Sequence, residues 1–245
     1  MKKYLVALLS FLLFSACTPE NIDNSDDLNC PDGAVDLGIV MTREDGSTYK
    51  LYWAKSNLCE SGLCANPEDD GDYYAWGETE PKTDYTWSTY KWCDGDEIHP
   101  FFTKYNTDSS YGVADYKFVL DPEDDAAHVK LGGKWRMPTD EEWTELRTKC
   151  KWKWTTKGKR KGYKVTSKTN GNSIFLPAAG RRYGTRLLYV GENGFYWASS
   201  LGLYYNDDSE PIWQTTRYEF YLHTDDVFRR AWGGCDGFSI RPVSE

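Results

Sequence analysis

The period of the apolar pattern changes once, at Cys150, and that change limits what this chain can build. Before it, Thr139-Asp140-Glu141-Glu142 spells a helix start. Thr139 can accept from the third amide beyond it, and Glu142 can reach back to the amide of Thr139. Pro138 stands in front, acids fill the first turn where the helix dipole favours them, and Trp143 and Leu146 share one face. After it, Lys151-Trp152-Lys153-Trp154-Thr155 alternates, with tryptophans to one side and lysines to the other. That is the period of a half-buried strand.

Strand signals then repeat to the end. Gly162 to Ser167 and Ser173 to Leu176 flank Asn170-Gly171, a strong hairpin turn signal. Gly194 to Ser200 reads as a strand. Arg217 to His223 and Val227 to Trp232 read as a hairpin about Thr224-Asp225-Asp226, and Phe238 to Val243 as a closing strand. Upstream, Val35 to Leu58 reads as two strands about Asp45-Gly46-Ser47. Cys59 to Asp115 has no sustained period and is predicted to be irregular, pinned by its aromatic side chains. Asp121-Pro122-Glu123 opens a short helix through Ala126, Ala127 and Val129, closed by Gly132-Gly133. Two short helices with antiparallel β-hairpins make an α+β domain.

The N-terminal residues bear on location. Lys2 and Lys3 precede an uncharged run from Tyr4 to Phe14, and Ser15-Ala16 lead into Cys17. The order is that of a secretory signal peptide over residues 1–16, with an apolar run too short to span a bilayer. The small-small-Cys ending resembles a lipobox, which implies lipidation at Cys17, with Phe14 where an aliphatic residue is usual. Residues 17–34 form the expected tether. Between Thr18 and Asp36 there are six acids and no Lys or Arg, so this stretch has little apolar surface to bury. Acids just after a lipidated cysteine resemble a surface-export signal; an outer-membrane, lipid-anchored, surface-exposed protein is expected. Residues 35–245 are long enough for one domain with a substantial core.

Six cysteines follow Cys17: Cys30, Cys59, Cys64, Cys93, Cys150 and Cys235. In an exported chain they suggest disulfides, and six thiols allow about fifteen pairings. Cys59 and Cys64, separated by a short loop, are the pair expected to join. Zinc is a poor fit, because no C-x-x-C occurs and His99, His128 and His223 lie far apart in the chain.

Five blocks, in order, resemble one family. Gly133-Lys134-Trp135-Arg136-Met137-Pro138-Thr139 with Glu142-Trp143 and Leu146 resembles the W-R-[LM]-P-T-x-x-E-W-x-x-L core of the Fibrobacter/Bacteroides major paralogous domain. Asp72 to Thr79, Ile174 to Gly180, Tyr196 to Ser200 and Gly237 to Val243 supply the others. The resemblance covers nearly all of Val35 to Val243 and implies a C-type-lectin-like fold, related to formylglycine-generating enzymes and to variable ligand-binding proteins. On this view Trp135 is a large aromatic anchor, and Arg241 closes the fold by pairing with a buried acid.

The chemistry expected is binding. Formylglycine-generating relatives use a late pair of reactive cysteines, and only Cys235 is late here. No nucleophile-elbow, H-E-x-x-H or phosphate-loop motif occurs, so no catalytic residue is assigned. The E-P-N and W-N-D calcium triplets of sugar-binding lectins are missing, and Glu80-Pro81-Lys82 places a cation where a ligand is wanted. Glu68, Asp69, Asp70 and Asp72 could still hold a structural calcium by oxygen ligands; no other cofactor or metal is expected.

Two surfaces remain. Between Leu146 and Gly191 lie thirteen Lys and Arg and no acid, in a chain whose net charge is −9. Such a block attracts anionic polymers, or else offsets acids of its own domain; nucleic acid is not an expected partner. From Leu201 to Gly237, flat aromatics alternate with short polar groups, a mixture that suits recognition surfaces. Tyr204, Tyr205, Asp207, Trp213, Arg217, Tyr218, Tyr221, Arg230 and Trp232 are the candidate ligand contacts. Alternation means that about half of such residues serve the core instead. The expected ligand is a glycan or a protein at the cell surface, with a fimbrial or envelope accessory subunit and an enzyme of the formylglycine-generating type as the alternatives.

Overall fold

A computed structural model of the chain describes residues 29–205, 211–221, 227–231 and 233–245, without the side chains of 205 and 211–213. Cys17, Asp207 and Trp232 lie outside the described residues. So do the first part of the acidic tether and the turn expected at residues 224–226.

The chain opens with β1 (Ala34–Thr42) and β2 (Thr48–Ala54), an antiparallel pair about the Asp45-Gly46-Ser47 turn. The Asp45 carboxylate accepts from the Ser47 amide at 2.8 Å, which closes the turn locally. A two-rung ribbon follows, β3 (Leu58–Cys59) and β4 (Gly62–Leu63), clipped by the Cys59–Cys64 disulfide. The stretch to residue 120 has only short 3-10 turns and isolated bridges, as its lack of period predicts.

This irregular stretch is held by a buried polar centre. Asp124 accepts from Lys104 at 2.6 Å, the Tyr105 hydroxyl at 2.7 Å and Lys91 at 3.0 Å. Tyr105 in turn meets Trp76 edge-on at 5.0 Å and Trp92 at 5.7 Å. Burial alone would push the Asp124 carboxyl up; the two ammonium groups and the phenol outweigh it and hold the carboxyl below the usual range.

Helices α1 (Ala126–Leu131) and α2 (Asp140–Lys149) come next. The capping box forms as the sequence predicts, with Glu142 accepting from the Thr139 amide at 2.9 Å. Trp143 and Leu146 are buried against β1 and β2, and Trp53 meets Trp143 at 4.9 Å. Trp135, expected as the aromatic anchor, is only half-buried; the anchor is Trp143.

The strand ladders that follow are all antiparallel. β5 (Cys150–Lys157), β6 (Arg160–Ser167) and β7 (Ser173–Pro177) form one sheet in that order. Gly158-Lys159 makes the two-residue turn between β5 and β6, with Gly158 at φ +58, where L side chains are strained. The Asn170-Gly171 hairpin exists, but as a longer loop: Ser167 donates to the Asn172 carbonyl and Asn170 is turned to donate to Asp36. β8 (Arg181–Tyr183) pairs with β9 (Arg186–Leu188). β10 (Asn193–Tyr205), β11 (Pro211–Tyr221) and β12 (Phe228–Ala231) form the last three-stranded sheet, and β13 (Val243–Ser244) joins β2.

Two expectations are corrected here. The strand read as ending at Ser200 continues to Tyr205 and pairs with a β11 that begins at Pro211. The expected closing strand is a series of bridges, Tyr74 to Phe238 and Tyr196 to Ser239 among them, before the short ladder of β13. Register slips between Trp197 and Leu201 because the backbone there serves other segments: Ser199 donates to Pro138 and accepts from Leu120.

Arg241 is fully buried but meets no acid. Its Nε donates to Asn57 at 2.9 Å, and its other nitrogens to the carbonyls of Ala54 and Phe175 at 3.0 and 2.8 Å. Burial pulls its pKa down to about 10. The guanidinium therefore ties the end of β2 and the Asn57 side chain to β7, through two backbone carbonyls and one side-chain amide, and no carboxylate is within ion-pair distance among the described residues.

Candidate functional site

β11 carries the site because its two faces have different surroundings. On one face Tyr218 stacks on Trp143 at 5.1 Å and donates to Asp140, while Phe220 lies on Tyr163 and Tyr196. A Cβ on Gly194 would sit 2.1 Å from the Phe220 ring, so only glycine admits that packing. Tyr218, a candidate ligand contact by sequence, is thus a core residue. The opposite face presents Arg217, Glu219 and Tyr221.

Pairing with β12 sets Arg230 directly across from Arg217. Two cations side by side repel, and Glu219 answers both: it lies 2.7 Å from Arg217 and 4.0 Å from Arg230. Arg230 also reaches the Tyr221 hydroxyl at 3.4 Å. Arg217 is buried, with its guanidinium over Phe195 at 5.3 Å and Phe238 at 5.6 Å. Burial pulls its pKa down, against the attraction of Glu219.

A second pair stands beside the first. Arg181, at the start of β8, meets Asp236 at 2.8 Å and lies over the same Phe195 ring at 5.7 Å. It also lies over Tyr189 at 5.8 Å. Tyr189 is exposed and holds φ +62, the left-handed region that a bulky side chain avoids at a cost of about 1–3 kcal/mol. Tyr183, Leu187 and Val190 continue this exposed rim. The site is therefore two arginine–carboxylate pairs on an aromatic floor, with Arg230, Tyr221 and Tyr189 at the edge.

The candidate residues fall into four groups. Arg217, Tyr221 and Arg230 come together. Tyr218 goes to the core, and Tyr204 is half-buried under the Arg229 guanidinium at 4.5 Å, where Arg229 grips Asp140. Tyr205 and Trp213 are on paired strands, but their side chains are not described. Asp207 and Trp232 lie outside the described residues. Sequence reasoning missed Arg181, Tyr189, Phe195, Glu219 and Asp236; only the period of β11 pointed at Glu219, which shares a face with Arg217.

The arrangement offers oriented donors and acceptors rather than an activated nucleophile. Cys235, next to Asp236, is buried, and burial followed by the Asp236 charge pushes its thiol up to about 12. Three of the four acids considered for calcium are engaged separately. Asp70 meets Arg160 at 2.9 Å, Asp69 accepts from the Asn66 amide and Asp72 from the Glu60 amide. Among the described residues no group of three or more His, Cys, Asp or Glu is placed to hold a metal ion. None of the described helices is long and apolar enough to cross a membrane. A separate groove of about 510 Å³ beside Trp135 and His128 is bounded by Arg136 and Thr139, which hold the start of α2.

Comparison of the chain with models of protein families, with curated proteins and with solved structures finds no match.

Proposed function

We propose that this chain is a non-catalytic binding protein on a C-type-lectin-like scaffold of the major paralogous type. It is anchored through a lipid on Cys17 at the outer-membrane surface, and it recognises a glycan, or failing that a protein, at the Arg217–Arg230 face. The observation that carries the reading is the Arg217–Glu219–Arg230 set on Phe195. The half-exposed Arg230 guanidinium, oriented by the buried Glu219, presents donors, and the Tyr189 and Tyr221 rings at the edge give contact area at little entropy cost. Sugar hydroxyls and acidic sugar groups fit such a surface. The protonated, buried Cys235 supports binding over formylglycine-type chemistry.

The test is a glycan array with the purified protein, beside Arg230→Ala and Tyr221→Ala variants. Arg230 is half exposed and Tyr221 is the last residue of β11, so both variants should melt close to wild type. Specific binding lost in both variants supports the reading. Binding that survives both places the ligand elsewhere, and an empty array turns the search to a protein ligand. Palmitate labelling that persists in Cys17→Ser would overturn the anchor.

A further inference from the structure

The basic block divides into two populations in the fold. Arg160 meets Asp70, Arg181 meets Asp236, and Lys149 stands 3.9 Å from Glu145. Lys151, Lys153, Lys157 and Lys164 have no carboxylate within ion-pair distance among the described residues, and each is exposed. The first population offsets the domain's own acids. The second does not.

Strand register explains where the second population goes. Trp152, Trp154, Tyr163 and Val165 take the inward face of the β5–β6 hairpin and pack on the core. The residues between them must face outward. Lys153 then stands directly opposite Lys164, Lys151 opposite Thr166, and Lys157 opposite Arg160. Same-face neighbours on a strand are about 7 Å apart and cross-strand partners about 5 Å. The ladder from Lys151 to Lys157 therefore runs roughly 20 Å. Lys168 extends it at the base, where its amide donates to the Lys149 carbonyl.

Like charges opposed across a strand pair destabilise it, and this chain has an acidic excess from which to neutralise them. We infer that the outward face of the β5–β6 hairpin is a binding site for an anionic polysaccharide, whose carboxylate or sulfate groups lie along the lysine ladder. The occupant is a polysaccharide rather than a membrane because no large apolar side chain from residues 150–168 is exposed to insert into lipid. It is a polysaccharide rather than a single-stranded nucleic acid because the tryptophans of the hairpin are turned into the core, leaving no ring on which a base can stack. Thr155 and Thr166 share the outward face and add hydroxyls suited to sugar.

This surface is separate from the Arg217 face. Trp152, Trp154 and Tyr163 contact Phe220 at 6.4, 6.4 and 5.1 Å, on the side of β11 opposite to Arg217 and Glu219. Both the β5–β7 and the β10–β12 sheets, with these core rings between them, therefore separate the two sites.

The experiment measures binding of the purified protein to polygalacturonate and dextran sulfate, with unsulfated dextran as control. Affinity for the charged polymers should fall by about tenfold or more between about 50 and about 300 mM NaCl, because each lysine contact releases a counterion. Lys164→Glu should weaken binding by about tenfold while its melting temperature holds or rises, because an attractive pair across Lys153 replaces a repulsive one. If Lys164→Glu melts below wild type, the Lys153→Gln/Lys164→Gln variant decides. The Arg230→Ala variant should bind these polymers as wild type, which separates this site from the other. Wild-type affinity in the lysine variants overturns the inference. So does stronger binding to phosphatidylglycerol vesicles or to duplex DNA at equal charge and salt.

Discussion

Glu142 is fully buried and receives both ends of the Arg136 guanidinium, at 2.7 Å on one carboxylate oxygen and 2.5 Å on the other. The same carboxylate accepts from the Thr139 amide and from the Tyr49 hydroxyl at 2.9 Å each. One side chain thus caps α2, fixes the segment before it and ties both to β2. Burial, and then the charge of Glu142, pushes the Tyr49 hydroxyl up to about 12, so it stays a donor.

Glu142→Gln keeps the shape and removes the charge, leaving Arg136 facing an amide. Breaking one side of a buried pair costs about 3–5 kcal/mol, and the partial exposure of Arg136 moves the expectation to about 2–4 kcal/mol. Urea unfolding should show a lower midpoint at unchanged slope. A loss below about 1 kcal/mol would mean that the carboxylate is not the joint described.

Arg241→Lys tests the carbonyl clamp. An ammonium cannot reach Asn57, Ala54 and Phe175 together, so at least one buried acceptor is left unsatisfied. The expected cost is about 1–3 kcal/mol in the same unfolding assay. A variant as stable as wild type would show that the three acceptors do not depend on the guanidinium.

Asp124 sets an acid limit on stability. Its carboxyl is held below the usual range in the fold, so its contribution is present above the unfolded pKa of about 4 and is lost as pH falls through the lower folded value. Melting temperature should drop as pH is lowered from about 4, and Asp124→Asn should be less stable at neutral pH with a shallower acid-side fall. Parallel curves for the two proteins would assign the acid limit to other groups.

The Cys59–Cys64 disulfide closes a short loop, and chain entropy for so small a loop gives about 2 kcal/mol. Reduction, or paired serine replacement, should lower stability by that order and leave the β5–β7 sheet intact. Amide exchange that rises throughout the molecule, rather than around β3 and β4, would contradict this local role.

Much of the fold was legible in the sequence because the signals were local. The Thr139–Glu142 box needs only four residues, and the Trp152/Trp154 alternation needs only five. The Cys59–Cys64 pair is legible by proximity along the chain. The site was less legible. Period two says that Arg217 and Tyr218 face opposite sides, but it does not say which side is covered. That depends on Trp143, brought by α2 to the Tyr218 side. Glu219 and Asp236 escaped notice because a carboxylate shows its role only through the cation it meets.

By itself the sequence determined the cap of α2, the hairpin periods, the count of cations in the basic block and the short-range disulfide, all of which follow from residues close together in the chain. The start of α1 it misplaced, because Asp121-Pro122 opens a 3-10 turn and Asp125 caps the helix. The tertiary structure alone decided that β10 continues past Ser200 to pair with Pro211–Tyr221, and that Arg241 is answered by carbonyls rather than an acid. It also decided which lysines remain without carboxylates on the outer face of β5 and β6. Those outcomes turn on distances between residues far apart in the chain, and local propensity carries no information about them.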